Sequence, residues 1–589
     1  SSFLVAGRPK TGQSFDEVRD LLLEEVAKLR EGDFDEKLIE ATINNYKMQL
    51  MRSFEENDSR AILYVYSFIS GTDWADEVAR IDRMSKITKQ DIVDWANKYL
   101  GPESYAIVYK REGKDPNEQK IAAPKITPIV TNRDSQSEFL TEIQNSKVEP
   151  IEPVFVDYKK DMSQFEAQKG VNVLYKKNET NDIFTLIYVF NTGTENDPAL
   201  NLAFDYLSYL GTDKMSAEQI ASEMYAIACS FGLSAGANQS WIEVSGLSEN
   251  MGKAMEIVEG LIAGAQPNEE ILQNLKGDMI KSRADAKLNQ SRCFGALQRY
   301  MIYGSDFIRR TTLTDPALQG LTSEQLLAKI GDLMGKQHEV LYYGPQDEAE
   351  VKAALAAHHK VAADLQPLEK KFSTLQPTDE NKVMLAQYDA KQLYYMQYSN
   401  RGEKFDLAAD PQITLYNEYF GGGMNTIVFQ EMREARGLAY SAWANLAIPT
   451  NAKGDYYYMA FIATQNDKMQ KAIEAFDEII NNMPESEKAF SIAKEALISR
   501  LRTERTVKDG VLWSYIRMRD LGLTEPRGKQ IFEKAQQMTL ADVKAAQEKW
   551  VKGRKYVYGI LGDIQDLDLN YLKTLGPIQT VTQEEIFGY

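Results

Sequence analysis

One pattern of segments occurs three times along this chain, in the same order and at nearly constant spacing. The stretches DEKLIEATINNYKMQLMRSFEEND from Asp35, NEEILQNLKGDMIKSRADAKLNQS from Asn268 and SEKAFSIAKEALISRLRTERTVKD from Ser486 align without gaps. Each opens on an acidic or amide cap and runs as a long, charged amphipathic helix. Downstream of each comes a second set: ITKQDIVDWANKYLGPESYAIVY, LTSEQLLAKIGDLMGKQHEVLYY and MTLADVKAAQEKWVKGRKYVYGIL. In all three a threonine (Thr88, Thr322, Thr539) stands three residues before Asp91, Gln325 or Asp542, the spacing of a helix N-cap and its capping partner. The helix gives way to a β-rich run, YAIVY, EVLYY or YVYGIL. A repeat of this size defines the folding unit, and any fold assigned to the chain must contain it three times.

A third set precedes the other two: FLVAG at Phe3, WIEVSG at Trp241 and YYMAFIA at Tyr457, each predicted as a strand leading into a helix. In the first copy that helix starts at Ser14, with Glu17 completing a capping box and Phe15, Val18, Leu22, Val26 and Leu29 forming its apolar stripe. The later two copies carry a further front half that the first lacks. TLIYVFNTGTENDPALNLAFDYLSYLGT and QLYYMQYSNRGEKFDLAADPQITLYNEYFGGG each read as strand, turn and helix, stopped by Gly211 and by Gly421 to Gly423. The unit is therefore an α+β domain of two layers, with helices covering a mixed or antiparallel sheet. This divides the chain into residues 1–111, the back part of a domain; 112–154, a linker; and two whole domains at 155–363 and 364–589. A lone strand with helices is no stable core, so the chain reads as the carboxy-terminal part of a longer polypeptide, or one that must pair with another.

The linker holds Pro116, Pro124, Pro128, Pro150 and Pro153 at or near it, no helical stripe, and a small apolar patch, KITPIV; it is predicted to be extended. A shorter junction runs from Pro367 to Asp379.

Composition then narrows the chemistry. With 43% hydrophobic and 26% charged residues over 589 positions, the chain is globular rather than collagen-like, disulfide-scaffolded or disordered. A net charge of −18 argues against nucleic-acid or anionic-membrane binding. Cys229 and Cys293 lie in helix-like apolar contexts and read as buried thiols. Only three histidines are present. His358 and His359 are adjacent, so on a helix they point about 100° apart and chelate one ion poorly. His338 stands alone. No HExxH or HxxEH occurs, and two cysteines cannot build a Cys-rich zinc cluster. Serine or cysteine nucleophiles lack a histidine partner, because the histidines sit in solvent-like helical or loop contexts. The triple glycine lacks the Lys-Ser/Thr of a phosphate-binding loop and reads as a helix-terminating turn. Tyr456 to Tyr458 read as sheet core.

The most specific stretch is GGGMNTIVFQEMREARGLAYSAWANLA from Gly421. It resembles the carboxy-terminal motif of the pitrilysin and insulin-degrading-enzyme (insulinase) family of zinc peptidases, in which a glycine pair ends a helix and an RE-x-x-GLAY-like run follows. The resemblance covers essentially the whole chain. It implies two halves, each of two homologous α+β domains, closing as a clamshell around a chamber. The chain would be the back of the second domain, the inter-half linker, and the third and fourth domains.

By that resemblance the zinc belongs to an HxxEH helix of the first domain, in an amino-terminal half outside this sequence. Aligned on Gly211-Thr212, the corresponding third-domain positions read Leu202-Ala-Phe-Asp205-Tyr206, with both ligand histidines missing; DPQITLYNEYFGGG in the fourth domain is equally bare. The chain would bind no metal and be inactive alone. It would supply Arg433 and Tyr440, matching the family's arginine and tyrosine seven residues apart, with Tyr440 donating to the oxyanion at the scissile carbonyl and Arg433 holding a substrate backbone carbonyl. The implied partners are the zinc-bearing half and enclosed peptide substrates, and likeness to bacterial secreted forms points to the periplasm. The alternative is a metal-free, non-catalytic subunit that assembles with a separate zinc-bearing subunit.

Overall fold

A computed structural model of the chain describes residues 2–10, 12–102, 105–111, 113, 137–421 and 423–589. It divides into two compact units, Ser1–Glu152 and Pro153–Tyr589.

The first unit is helical. Ser14 and Glu17 form a reciprocal capping box on the helix Phe15–Glu31, which ends at Gly32 in the left-handed conformation. The helix Lys89–Tyr99 opens on the capping box of Thr88 and Asp91. Asn97 joins the two by donating to the carbonyl of Arg30 at 2.8 Å. Lys37–Phe54 and Asn57–Ser70 follow one another as two further long helices. Two expected strands are absent among the described residues of this unit: Phe3–Gly7 and Tyr105–Tyr109 have no strand assignment. Without other strands to supply ladder partners, β propensity alone does not make a strand. A second departure lies in the expected linker, where Glu138–Asn145 form a helix capped by Ser137. Phe139, Leu140 and Ile143 are its apolar positions, a stripe hidden by the proline-rich surroundings. Residues 114–136, including KITPIV, lie outside the described residues.

The second unit is built on two six-stranded sheets. The first contains β1 (Ser163–Gln168), β2 (Val171–Lys177), β3 (Ile183–Phe190), β4 (Cys229–Ala235), β5 (Ser240–Leu247) and β6 (His338–Gly344), in the order β1-β2-β6-β3-β5-β4. The second contains β7 (Lys382–Gln387), β8 (Gln392–Ser399), β9 (Ala439–Ala447), β10 (Tyr457–Gln465), β11 (Val557–Gly562) and β12 (Ile578–Val581), in the order β12-β7-β11-β8-β10-β9. Five strands match one for one, from β2 to β4 in the first order and from β7 to β9 in the second. Both sheets share a parallel pair, β2 with β6 and β7 with β11, and are antiparallel beyond it toward β4 and β9; on the other side β1 joins β2 antiparallel, whereas β12 joins β7 parallel. Parallel pairing needs a long crossover, which the intervening helices provide.

Both sheets bury both faces. One face of each carries its own helices: Leu186, Tyr188, Val340 and Tyr342 face the helix Met251–Gly264, and Tyr395, Tyr458 and Ile560 face Met469–Asn481. The opposite faces are covered by an exchange. Phe294, Leu297 and Met301, on the helix Gln290–Tyr303, pack on Met384, Met396 and Leu561 of the second sheet. Val511, Leu512 and Ile516, on the helix Gly510–Asp520, pack on Leu174, Ile187, Val189 and Leu341 of the first. Double-sided burial explains why β3 reads IFTLIYVF instead of alternating. Gly559 makes the exchange possible on β11, since a Cβ there would collide with the sulfur of Met301.

The two cysteines are buried in different cores, Cys229 at the start of β4 and Cys293 on the exchanged helix. The helical context read for Cys229 was wrong: the residue begins a strand. Tyr456 and Tyr458 are fully buried, while Tyr457 alternates to the opposite face and packs against Tyr398. Among the described residues no helix is long and apolar enough to cross a membrane.

Candidate functional site

Arg433 and Tyr440 are brought together by the turn that enters β9. The helix Asp410–Phe420 ends at Gly421; a short turn, Ile427–Phe429, then passes into one π-helical turn, Gln430–Ala435. Two buried residues pin this connection, Met432 and Leu438, and the Leu438 amide donates to the Met432 carbonyl at 2.9 Å. Thr464 on β10 donates to the Leu438 carbonyl at 2.6 Å. Gly437, at φ +57°, makes the reversal between them. With its flanks held in the core, the turn presents the next side chains outward. Tyr440 is 79% exposed, and the Arg433 guanidinium lies 4.5 Å from the Tyr440 ring centroid and 4.9 Å from that of Phe429. The nearest acid to Arg433 is the adjacent Glu434, 3.5 Å away, so its forked donors are not consumed by a bidentate carboxylate. Arg436, by contrast, is engaged by Glu478 at 2.8 Å and Glu431 at 3.4 Å, and braces the turn.

The segment 202–206 is filled differently. Leu202, Phe204 and Tyr206 are buried in the first core on the helix Leu200–Leu207. Asp205 accepts from Asn201 at 2.8 Å, and burial raises its pKa. The Tyr206 hydroxyl accepts the Asn268 amide at 2.7 Å and donates toward Ser323, 2.9 Å away. The other domain repeats the device: the Tyr419 hydroxyl accepts the Ser486 amide at 3.1 Å and donates to the Pro484 carbonyl at 2.7 Å. Asn268 and Ser486 are the equivalent N-caps of the repeat. These tyrosines therefore anchor the entry to the long helix. Asp410, at the start of the helix Asp410–Phe420, is also buried, which raises its pKa; the guanidinium of Arg527 holds it and offsets part of that push.

Residues 335–497, which span this turn, match the family described as the peptidase M16 inactive domain. That stretch is similar to an M16 inactive domain. The chain's relatives agree with that assignment. An uncharacterized zinc protease of Streptomyces coelicolor is 23% identical over 269 residues, covering 42% of this chain and 56% of the relative. One of Rickettsia bellii is 24% identical over 310 residues, covering 51% of this chain and 70% of the relative. Among solved structures, the peptidase M16 inactive domain from Pseudomonas fluorescens superposes with a TM-score of 0.55 at 18% identity, over 68% of this chain and 98% of that one. The periplasmic protease PqqL from Escherichia coli gives 0.55 at 14% identity, over 93% of this chain and 63% of that one. The fold is thus the M16 peptidase fold, and the chain fits its carboxy-terminal half.

The M16 family implies zinc, and residues 202–206 do not fit it. Leu202 and Tyr206 offer no imidazole, and Asp205 is committed to Asn201. Among the described residues no group of three or more His, Cys, Asp or Glu side chains is placed to hold a metal ion.

The histidines correct the sequence reading. His338 and His359 are buried, not solvent-like, and meet Nε2 to Nε2 at 2.8 Å. His338 Nδ1 donates to the Lys336 carbonyl at 2.8 Å, so a neutral His338 presents Nε2 as an acceptor and His359 supplies the proton. His359 Nδ1 faces Glu259 at 2.6 Å, and the Tyr188 ring stacks on His359 at 4.2 Å. Burial, followed by the charge of His359, lowers the His338 pKa to about 4. The sequence held one signal for this: His338 shares the alternation of Val340 and Tyr342, which places it on the core face of β6.

Proposed function

We propose that this chain is the non-metal-binding half of a zinc endopeptidase that encloses peptides, and that it supplies Arg433 and Tyr440 to an active site whose zinc is held by a separate amino-terminal half. The observation that carries this is the pinned turn: a scaffold held in the core sets the exposed Tyr440 and the half-buried Arg433 side by side, with no bidentate carboxylate on the arginine fork among the described residues. Tyr440 donates to the oxyanion formed as water attacks the scissile carbonyl, while Arg433 orients the peptide through a neighbouring carbonyl. A preorganised donor of this kind lowers a barrier by roughly 3–4 kcal/mol.

Whether the zinc-bearing half lies on the same polypeptide or on a partner subunit does not alter these roles. A purely non-catalytic binding subunit is the competing reading, and Tyr440 separates the two, because binding alone needs no transition-state donor. The first test uses the chain by itself. After dialysis it is expected to retain no stoichiometric zinc and to leave peptides uncut. Peptide hydrolysis by the purified chain, or one retained zinc per chain, would overturn the assignment.

A further inference from the structure

The exchanged helices of the second unit have a counterpart in the first. Extending the gapless alignment that begins at Asp35, Asn268 and Ser486 sets Asn57–Ser70 against Gln290–Tyr303 and against Gly510–Asp520. All three helices stop at a glycine of positive φ: Gly71 at +66°, Gly304 at +83° and Gly522 at +70°. Shared register and a shared stop make them copies of one element.

In two copies the element has the same task, covering the outer face of a six-stranded sheet belonging to the neighbouring repeat. The buried positions are Phe294, Leu297 and Met301 in one, and Leu512 and Ile516 in the other. The matching positions in the first copy are Ala61, Tyr64, Val65 and Phe68. Here they face solvent: Tyr64 is 57% exposed, Val65 47% and Phe68 87%. Ile62, Tyr66 and Ile69 widen the patch, and no charged residue occurs from Ala61 to Ser70. A contiguous apolar patch without charge marks a surface that another element covers.

We infer that the helix Asn57–Ser70 docks on the outer face of a β-sheet from a further α+β repeat, as its two copies do, and that this repeat belongs to the zinc-bearing half. The identity of that partner rests on the function proposed above; the geometry of docking rests on the internal repeat alone. The outer faces of both sheets in this chain show what such a partner offers. They present Leu, Ile, Val and Met, and on the second sheet Gly559 stands where Met301 comes closest.

The test replaces Phe68, and separately Tyr64, with the photo-activated p-benzoylphenylalanine in the assembled peptidase. Adducts are expected on alternate residues of one sheet strand in the zinc-bearing half, the period of a single sheet face. A paired substitution, Val65→Lys with Phe68→Asp, is expected to weaken association of the two halves by about tenfold or more, with the chain's own melting unchanged. Adducts confined to a second copy of this chain or to its residues 137–589, or no adduct from either position, would overturn the docking. Peptide hydrolysis in the same preparations separates the two ideas. Sheet adducts with hydrolysis indifferent to Tyr440→Phe uphold the docking and sink the catalytic role. Adducts on a second copy with hydrolysis dependent on Tyr440 do the reverse.

Discussion

The guanidinium of Arg433 lies over the ring of Tyr440, 4.5 Å from its centroid, with Phe429 on its other side at 4.9 Å. This stack restricts the exposed Tyr440 and the half-buried Arg433. An ordered pair is what a site completed by another half requires, since the cost of fixing long side chains is then met before substrate arrives.

Phe429 should therefore matter without touching substrate. Phe429→Leu removes one wall of the stack, and an exposed cation–π contact is worth about 0.5–1 kcal/mol. Steady-state kinetics of the assembled peptidase should show kcat/KM falling about two- to fivefold, mostly through KM. Arg433→Lys keeps the charge but loses the planar fork, and the expected loss is about tenfold.

The exchange of helices predicts a steric coupling. Gly559→Ala drives a methyl into Met301, an overpacking defect of about 1–3 kcal/mol. Met301→Ala alone opens a cavity. Combined, the two should cost clearly less than their sum in a denaturant-melting double-mutant cycle. Additive costs would mean that the helix and β11 are not in contact.

Gly304 and Gly522 share a positive φ but differ in surroundings. At Gly522 a Cβ meets only Ala452 at 3.6 Å, whereas at Gly304 it meets the Gln376 side chain at 2.8 Å. Gly522→Ala should cost about 1–2 kcal/mol, the left-handed penalty alone. Gly304→Ala should cost more, and thermal melts of the two variants give the comparison.

Much of this architecture could be read from the residues. The three capping boxes at Thr88, Thr322 and Thr539 and the long helices after Asp35, Asn268 and Ser486 form where their local signals put them, because caps act within one turn. The failures were nonlocal. Phe3–Gly7 and Tyr105–Tyr109 have strand-like sequences but no neighbouring strands among the described residues. His338 and His359 are 21 residues apart in sequence, and only the packing of β6 against the end of the helix Glu348–His358 joins them. At the candidate site the motif located Arg433 and Tyr440, yet Phe429 and the pins Met432 and Leu438 look like any apolar residues until the turn is folded.

Two buried groups titrate in opposite directions. His338 has a folded pKa of about 4 against an ordinary 6.5, so its stabilising contribution is complete above about pH 6.5 and is lost as the pH falls toward 4. Burial raises Asp477 to about 6 from 3.8, so its contribution is complete below about pH 4 and is lost as the pH rises through 6. Each amounts to something on the order of 3 kcal/mol at its limit, so they largely cancel in the intact chain. Asp477→Asn preserves the bond from Gln397 and removes one of them. Its urea midpoint should then climb more steeply than the parent's from about pH 4 to pH 7. Parallel pH curves would show that Asp477 is not titrating in this way.

The central claim is that Tyr440 acts in the transition state of a reaction whose metal lies in another half. Tyr440→Phe in the assembled peptidase tests it most directly, because the stack with Arg433 survives and only the hydroxyl is lost. The account predicts a fall in kcat of about 100-fold or more with KM changed by less than about threefold. An unchanged kcat would contradict it and leave Tyr440 an exposed aromatic with no part in the chemistry.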